Sequence, residues 1–344
     1  MKILHLIPSL TGGGAERQLA YLTRELRKRG HQTLIAYKRE GPAPWQAEDL
    51  PVQRLTASRH RNPRFLGEVV ALIRSWRPDV LQTWFVESDI VGGVAAALTR
   101  TRWVLREPSS GEFYAGRLKA SLRVMVARLA ADAIVANSEG GRAYWARHAQ
   151  PRLIANAVPI EDLDQVTPAD LGPAPAMVFA GRLEAMKNVD VFIAAAAQLP
   201  EVRVIVCGIG PRRAQLEHLA AELRIDDRVC FTGHTRDIWP IVKGAALFVS
   251  LSDFEGSPNA VLEAFAAGTP ALLSDIAAHR AIAGDASAYF APLRDVEATA
   301  AVMRQALADR GEAAARAGNA RCRVASQSSA AMADAYEELY ESLL

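Results

Sequence analysis

The sequence has little cysteine and contains no long apolar run. Its three cysteines are scattered without the spacing of a metal site, and an odd number with no pairing pattern indicates a reducing compartment. No apolar stretch approaches the roughly 20 residues needed to cross a bilayer. The opening segment MKILHLIPSL lacks the apolar length and cleavage site of a signal peptide and is typical of a buried first strand. These absences lead us to expect a cytoplasmic protein.

The chain is long enough for two domains, and its charge is divided unevenly along its length. Of its 344 residues 50% are hydrophobic and 23% are charged, which is typical of a soluble globular protein. Residues 1–160 carry 24 Lys and Arg against 13 Asp and Glu, whereas residues 161–344 carry 16 against 25. The basic half indicates an anionic partner: a phosphate-bearing ligand, a membrane surface or nucleic acid.

Short apolar runs alternate with amphipathic stretches along the chain, and this alternation predicts doubly wound parallel α/β domains. Strands are predicted at 3–7, 32–37, 80–82, 103–105, 133–136, 176–179, 203–207, 229–231, 245–249 and 271–274, and helices at 15–29, 63–75, 90–98, 189–199, 212–223, 259–267 and 328–344. Proline, glycine and acidic residues crowd between 158 and 175, which is typical of a linker. We therefore predict a first domain at 1–160, a second at 161–327 and a final helix at 328–344.

Residues 245–275 have the order strand, loop, helix, strand. Ser257 is a favourable N-cap, Pro258 fits the first helical position, and Gly268 is a typical residue after a helix end. The amides of the first turn lack intrahelical partners, so that an anionic or hydroxyl-rich ligand is favoured outside this helix.

Two carboxylates lie on this segment. Glu255 precedes the helix, and Glu263, eight residues later, lies where a carboxylate can accept from two neighbouring hydroxyls. A solvated loop residue and an ordinary helix former are the alternatives for each Glu taken alone.

Glycine or charge follows successive predicted strands of the second half, at the edge where open α/β sheets bind ligands. The residues concerned are Gly181, Arg182 and Lys187, then Gly208 and Gly210, then His234 and Thr235. Arg182 and Lys187, five residues apart, suit a diphosphate, Arg as a planar fork and Lys as a point charge. Solvated surface cations are the alternative for each taken singly.

Three glycines, Gly12, Gly13 and Gly14, separate the first predicted strand from the first helix, where backbone amides can approach a phosphate. They do not form the G-x-G-x-x-G pattern, and the second strand ends Ala36-Tyr37-Lys38 without an acidic residue, which argues against NAD. A plain tight turn is the alternative.

These motifs resemble the retaining GT-B glycosyltransferases of family 4, the nucleotide-sugar-dependent glycosyl transferases group 1. The resemblance covers nearly the whole chain and is most specific between Phe179 and Asp275. It rests on Gly13-Gly14-Ala15-Glu16, on Ala155-Asn156-Ala157-Val158, on the G-R-L-x-x-x-K run from Gly181 to Lys187, and on the pair Glu255 and Glu263.

The resemblance implies an α/β protein with two Rossmann-like doubly wound domains facing a cleft, the C-terminal helix crossing back to the first. It implies three catalytic residues: Arg182 and Lys187, which hold the donor diphosphate, and Glu255, which faces the transferred sugar. It also implies that Glu263 binds the ribose hydroxyls. Further implied donor contacts are Gly13, Gly14, Gly181, Gly208, Gly210, His234, Thr235, Gly256, Ser257, Pro258, Asn259 and Ala260. Neither a cofactor nor a metal ion is implied.

The sequence departs from the family in two places. Relatives carry a histidine after a first-domain strand, where this chain reads Trp103-Val104-Leu105-Arg106-Glu107. Two alternatives follow: Arg106 or Glu107 takes its role near the acceptor, or the role lies elsewhere in the chain. Ala157 stands where relatives have a glycine.

Residues 117–128 form a predicted basic amphipathic helix, which is suited to an anionic membrane surface. Its cations are Arg117, Lys119, Arg123 and Arg128, among Leu118, Leu122, Val124 and Met125. Further basic clusters lie at 59–64 and 100–103. Docking on the inner membrane face is one interpretation, and a solvated helix face is the other.

The functional prediction is a retaining transferase that moves a hexose or N-acetylhexosamine from a UDP-sugar to a lipid-linked or polysaccharide-precursor acceptor. A non-catalytic glycosyltransferase-like scaffold and a sugar-nucleotide epimerase are the alternatives. Nucleic acid is not expected as a partner, because the basic positions are not interleaved with stacking aromatic residues.

Overall fold

The computed structural model describes residues 1–10, 13–39, 49–56, 63–108, 118–235 and 237–344. The chain divides into two compact units. Unit 1 comprises Met1–Ala157 and Ser329–Leu344, and unit 2 comprises Val158–Ser328. Each contains one parallel sheet with helices between its strands, so that the predicted pair of doubly wound α/β domains is confirmed.

Unit 1 contains a seven-stranded sheet. In chain order its elements are β1 (Lys2–Ser9), α1 (Gly14–Lys28), β2 (Gln32–Arg39), β3 (Val52–Arg54), α2 (Pro63–Trp76), β4 (Val80–Trp84), α3 (Val86–Thr99), β5 (Arg102–Glu107), α4 (Leu118–Ala130), β6 (Ala133–Ala136), α5 (Glu139–Ala146) and β7 (Arg152–Leu153). The strand order is β3-β2-β1-β4-β5-β6-β7, with every pair parallel. Because β1 and β4 are central and covered on both faces, residues 3–7 of β1 and all of β4 are buried, including the polar His5, Gln82 and Thr83.

Unit 2 contains a six-stranded sheet. Its elements are α6 (Ile160–Asp164), β8 (Ala176–Ala180), a short 3-10 helix (Ala185–Lys187), α7 (Val189–Ala197), β9 (Arg203–Cys207), α8 (Arg213–Glu222), β10 (Val229–Gly233), α9 (Trp239–Gly244), β11 (Leu247–Ser250), α10 (Asn259–Ala266), β12 (Ala271–Ser274), α11 (Ala277–Ala283), β13 (Tyr289–Ala291), α12 (Val296–Ala308) and α13 (Arg310–Val324). The strand order is β10-β9-β8-β11-β12-β13. The four strands β10, β9, β8 and β11 are neighbours, so that the loops following them share one edge.

The last helix, α14 (Ser329–Glu341), belongs to unit 1. Tyr336 and Tyr340 are fully buried against the sheet, and the Tyr340 hydroxyl donates to the side chain of Gln82 on β4. At the surface, Nη1 of Arg29 donates to Oε2 of Glu337 at 2.8 Å. The helix is therefore held by apolar burial and by a bridge to the end of α1.

Helix α4 is fixed to unit 1 by a buried ionic cluster. Arg123 Nε lies 2.6 Å from Oδ2 of Asp89, and its Nη1 lies 2.5 Å from Oε2 of Glu107, which also accepts from Nε1 of Trp145 at 3.0 Å. Burial raises the pKa of Asp89 to about 6. The prediction that Arg123 lies on an exposed basic face is therefore wrong, because its guanidinium satisfies two interior carboxylates.

None of the helices in the described ranges combines the length and apolar character that a membrane-spanning helix needs. Gly12, residues 59–62 and Arg117, which the basic and glycine-rich predictions included, lie outside the described residues.

Candidate functional site

The loops that follow β8 and β9, at the carboxyl edge of the unit 2 sheet, are hydrogen-bonded to each other. The amide of Gly181, just after β8, donates to the carbonyl of Cys207 at 3.0 Å, and the amide of Leu183 donates to that of Ile209 at 2.9 Å. The segments that follow β8 and β9 are thus joined at the edge where the sequence predicts the donor site.

Gly208 and Gly210 are required by this close approach. Gly208 has φ +153°, and a Cβ there would lie 1.8 Å from the carbonyl oxygen of Gly181. A Cβ at Gly210 would lie 2.5 Å from the carbonyl oxygen of Leu183. The G-x-G spacing therefore has a packing explanation, which is also what brings the two loops together.

Lys187 and Glu255 meet at this edge. Lys187 Nζ donates to Oε1 of Glu255, and Ser252 Oγ donates to the same oxygen at 2.7 Å. The side chains of Lys187 and Glu255 are 17% and 13% exposed, so the pair is largely screened but still open to a ligand. The structure thus brings together two of the residues that the sequence predicts as catalytic.

The loop carrying Glu255 is anchored to the 3-10 turn that carries Lys187. Asn188, which is buried with φ +48°, donates through Nδ2 to the carbonyl of Leu251 at 2.9 Å and to Oδ1 of Asp253 at 2.7 Å. The amide of Asp253 donates to the carbonyl of Met186 at 2.9 Å. Hydrogen bonding from Arg294 lowers the pKa of Asp253, which keeps it a carboxylate acceptor.

A second layer lies behind Ser252. Ser274 Oγ donates to the carbonyl of Ser252 at 2.6 Å, and Nδ1 of the buried His279 lies 3.0 Å from the carbonyl oxygen of Ser274. Burial lowers the pKa of His279, so the ring is neutral at pH 7. The contacts run from His279 through Ser274 and Ser252 to Glu255. Neither this layer nor Asn188 was identified from the sequence, although Asn188 directly follows a predicted site residue.

Helix α10 begins at Asn259, as predicted, and ends at Ala266, but its cap residue differs from the prediction. The carbonyl of Pro258 accepts from the amides of Val261 and Leu262 at 3.0 and 3.1 Å, so Pro258 itself holds the cap position and Ser257 lies outside the helix. The predicted glycine after the helix is confirmed, because Gly268 has φ +72° and its amide donates to the carbonyl of Phe265. The segment from Gly256 to Ala260 is partly to fully buried around the helix start.

Glu263 lies inside α10 and is nearly buried. Its Oε2 accepts from Nε1 of Trp239 at 3.3 Å. Trp239, at the start of α9, is a neighbour that the sequence did not indicate.

The remaining predicted residues of unit 2 are more open. The Arg182 side chain is 71% exposed and pairs with Glu184 at 2.8 Å, rather than with Glu255. His234 is exposed after β10, and Thr235 Oγ1 lies 2.8 Å from Oγ1 of Thr232. Across the described ranges no three His, Cys, Asp or Glu side chains are grouped closely enough to hold a metal ion.

In unit 1, Gly13 occupies the cap position of α1 and Gly14 begins that helix, and the preceding strand β1 ends at Ser9. The carbonyl of Gly13 accepts from the amide of Arg17 at 3.1 Å. Among the described residues the predicted order of a strand, glycine residues and a helix is present.

Arg106 and Glu107 are the last two residues of β5 and are both fully buried. The Arg106 guanidinium carbon lies 4.3 Å from the centroid of the Trp84 ring, and its Nη2 donates to Oδ1 of Asn156 at 2.7 Å. Burial lowers the pKa of Arg106. Arg106 therefore holds the chain near Asn156, and Glu107 belongs to the ionic cluster beneath α4. Because both side chains are fully buried, neither has the exposed position that the expected role near the acceptor requires.

The chain just after Asn156 is also held by α1. Gln18 Nε2 donates to the carbonyl of Ala157 at 2.8 Å, and the amide of Ala157 donates to Oε1 of Gln18 at 2.7 Å. The buried Gln18 side chain thus satisfies both backbone groups of Ala157, where the first segment of unit 1 ends.

Two family descriptions match this chain. Glycosyltransferase Family 4 matches residues 12–162, and Glycosyl transferases group 1 matches residues 167–323. The lipopolysaccharide core biosynthesis glycosyltransferase LpsE of Rhizobium meliloti (strain 1021) is 30% identical over 276 residues, which cover 75% of this chain and 74% of the relative. LpsD of the same organism is 27% identical over 289 residues, covering 80% and 78%.

Solved structures share the fold. Anabaena Alr3699/HepE, in its complex with UDP-glucose, superposes with a TM-score of 0.89 at 20% identity, covering 99% of this chain and 100% of that chain. Together with the two sheets and the matched families, this likeness establishes the GT-B fold. The chain belongs to the family 4, group 1 glycosyltransferases and is a transferase enzyme.

Proposed function

We propose that the protein is a retaining transferase that moves a hexose or N-acetylhexosamine from a UDP-sugar to a lipid-linked or polysaccharide-precursor acceptor in lipopolysaccharide core assembly. LpsE and LpsD, whose names place them in that assembly, support the acceptor class. The complexes of Alr3699/HepE with UDP and UDP-glucose support the donor class.

The observation that carries the proposal is the Lys187–Glu255 pair at the carboxyl edge of unit 2, with Arg182 on the same loop as Lys187. A diphosphate beside Lys187 competes with Glu255 for the ammonium group. The ion pair between Arg182 and Glu184 lies at the surface and contributes little stability, so Arg182 can turn towards the same phosphates. The start of α10 adds the partial positive charge of its first amides.

The reaction follows from this charge arrangement. The bond between the sugar C1 and the diphosphate oxygen breaks, and negative charge grows on the leaving phosphate while C1 becomes oxocarbenium-like. Lys187 and Arg182 stabilise the first charge, and Glu255, released from Lys187, lies where it can oppose the second. For retention, the acceptor oxygen bonds to C1 on the face that the phosphate leaves, and the acceptor proton passes to the phosphate oxygen. In this scheme the two cations take the place of a metal ion, and no cofactor is used.

On the acceptor side, α4 would hold unit 1 on the anionic surface of the inner membrane, where a lipid-linked acceptor would lie. Leu118 and Leu129 are 87% and 80% exposed, and Leu122 and Met125 between them are also exposed. Spacings of four, three and four residues place all four on one helix face. Lys119 and Arg128 lie exposed beside them, so that the face combines apolar and cationic groups as a bilayer surface requires.

A donor screen tests the proposal. We expect UDP-sugars, and not GDP- or ADP-sugars, to raise the melting temperature, and the best of them to be consumed when core-type acceptor lipid is added. Arg182→Ala and Glu263→Ala should each abolish the shift, whereas Arg304→Ala, on the surface of α12, should leave it unchanged. A shift without transfer would favour the scaffold alternative, and a shift that both site variants retain would contradict the site.

A further inference from the structure

A groove of about 600 Å³ lies at the amino edge of the unit 1 sheet. Gly13 and Gly14, the donor contacts predicted in this unit, follow β1 at the opposite, carboxyl edge. Its lining includes Arg74, Arg77, Arg100, Arg102, Asp79 and Leu98. The C-terminal ends of α2 and α3 form its walls, because each of these helices returns the chain to the start of the next parallel strand.

Three of the four arginines that line this groove have no carboxylate partner among the described residues. Arg102 is paired with Asp132 at 2.8 Å, and Asp79, the single carboxylate of the lining, accepts from the backbone amide of Lys2 at 2.7 Å. Arg74, Arg77 and Arg100 are exposed and have no ion-pair or hydrogen-bond partner for their side chains among the described residues. Three free guanidinium groups around one concavity suit a phosphate ester.

Two of these arginines occupy backbone positions that favour glycine. Arg77 and Arg100 follow α2 and α3 with φ +53° and +57°, and the corresponding residue after α1 is Gly30, with φ +85°. A left-handed conformation is strained for a residue with a Cβ. The chain therefore carries arginine at two helix ends where glycine would be the less strained residue.

The apolar rim indicates which phosphate ester is bound. Leu98, 59% exposed, lies beside the guanidinium groups, and the C-terminal end of α4, with exposed Arg128 and Leu129, reaches the same edge of the sheet. A soluble phosphate gains nothing from contact with an exposed leucine, whereas a bilayer surface binds cations through its headgroups and apolar side chains through its acyl boundary. We propose that this groove binds the phosphate of an anionic lipid headgroup. This inference rests on the membrane contact proposed for unit 1, whereas it is separate from the donor edge and independent of the proposed transfer reaction.

The test is co-sedimentation of the full chain with vesicles of phosphatidylcholine, with and without phosphatidylglycerol. The double variant Arg77→Gly, Arg100→Gly removes two cations while relieving backbone strain, so its melting temperature should be unchanged or higher. Its partitioning onto the phosphatidylglycerol vesicles should fall about 30-fold, on the basis of the usual contribution of each cation near an anionic surface. The matched control is Arg224→Gly in unit 2, at a helix end with φ +59°.

The outcomes separate the alternatives. Equal partitioning of the double variant and of Arg224→Gly would overturn the proposal. Leu98→Gln should weaken vesicle binding without changing any protection by inorganic phosphate, and an unchanged vesicle affinity would show a site for soluble phosphate instead. The thermal shift with UDP-sugars should survive in all these variants, so that a failure here is distinguishable from a failure of the proposed function.

Discussion

Lys187 and Glu255, 68 residues apart in the chain, form an ion pair in which Nζ of Lys187 donates to Oε1 of Glu255. Ser252 donates to the same oxygen at 2.7 Å. The cation proposed to bind the diphosphate is therefore held by the carboxylate proposed to face the sugar. A donor that displaces Glu255 from Lys187 would reorganise both groups in one step.

Replacing the cation tests this relationship. Lys187→Met should lower kcat/KM for the donor by about 100-fold or more, because the charge of the leaving phosphate loses its closest stabilising group. The fold should be retained, since a partly exposed ion pair contributes about 1 kcal/mol or less. Steady-state kinetics beside Arg304→Met, remote on α12, give the comparison, and equal losses in both variants would contradict the role of Lys187.

The layer behind Ser252 should act on rate through position. Ser274→Ala removes the 2.6 Å bond to the carbonyl of Ser252. The loss of one buried hydrogen bond, about 1 kcal/mol, should lower kcat about fivefold with little change in KM for the donor. Ser250→Ala, in the preceding strand β11, serves as the control. If both variants changed only the melting temperature, the layer would be structural alone.

The loop glycines make a steric prediction. Gly208→Ala places a Cβ 1.8 Å from the carbonyl oxygen of Gly181, so the two donor loops must separate. We expect a loss of roughly 2–4 kcal/mol in the free energy of unfolding, together with the loss of the UDP-sugar shift. Gly268→Ala also has a left-handed φ of +72°, but no atom lies within 4 Å of its Cβ. It should therefore cost only about 1–2 kcal/mol in urea unfolding and leave donor binding intact.

His5 makes a pH prediction. Its ring is fully buried on β1, neither ring nitrogen has a hydrogen-bond partner in the described structure, and burial lowers its pKa to about 3. Between pH 6.5 and 3 the unfolded chain binds a proton that the folded chain does not, so stability falls as the pH falls through this window. The loss attributable to this residue by pH 4 is roughly 3 kcal/mol.

His5→Phe should remove this component while keeping the edge-on contact with Trp84. Urea unfolding of the wild type and the variant at pH 7 and pH 4 measures the difference. Asp89, whose pKa is raised, acts in the opposite direction between about pH 4 and 6, so Asp89→Asn is the variant that separates the two residues. If the difference in the free energy of unfolding between the wild type and His5→Phe were the same at pH 7 and pH 4, the lowered pKa assigned to His5 would be contradicted.

The apolar face of α4 makes a membrane prediction. Leu122→Glu with Met125→Glu should weaken co-sedimentation with anionic vesicles at least tenfold, because two exposed apolar contacts are replaced by charges of the repelled sign. Leu293→Glu, an exposed leucine of unit 2, is the matched control. Binding that was equally weak or equally strong in both would show that α4 does not carry the contact.

The sequence predicts the parts of this fold that depend on local pattern. Strands β6, β9 and β12 have the predicted bounds, because each is a short apolar run bounded by polar residues or turns. By contrast β3, β7 and β13 have two or three residues and are too short to show a pattern. Their pairing is set by neighbouring strands rather than by their own residues.

The candidate site divides in the same way. Lys187 and Glu255 lie in recognisable motifs, so they could be identified and are found in contact. The burial of Arg123 could not be predicted, since its carboxylate partners lie 34 and 16 residues away in the chain. A basic residue on an amphipathic stretch looks the same in sequence whether it faces solvent or an interior carboxylate.

Helix α14 has a consequence for synthesis. Residues 329–344 complete unit 1, yet the ribosome makes them only after all of unit 2. Until then the sheet face that receives Tyr336 and Tyr340 is uncovered, and the fully buried Gln82 lacks its hydroxyl partner. Unit 2 is contiguous in the chain and can fold as it emerges, whereas unit 1 can complete its core only after its own last helix has been made.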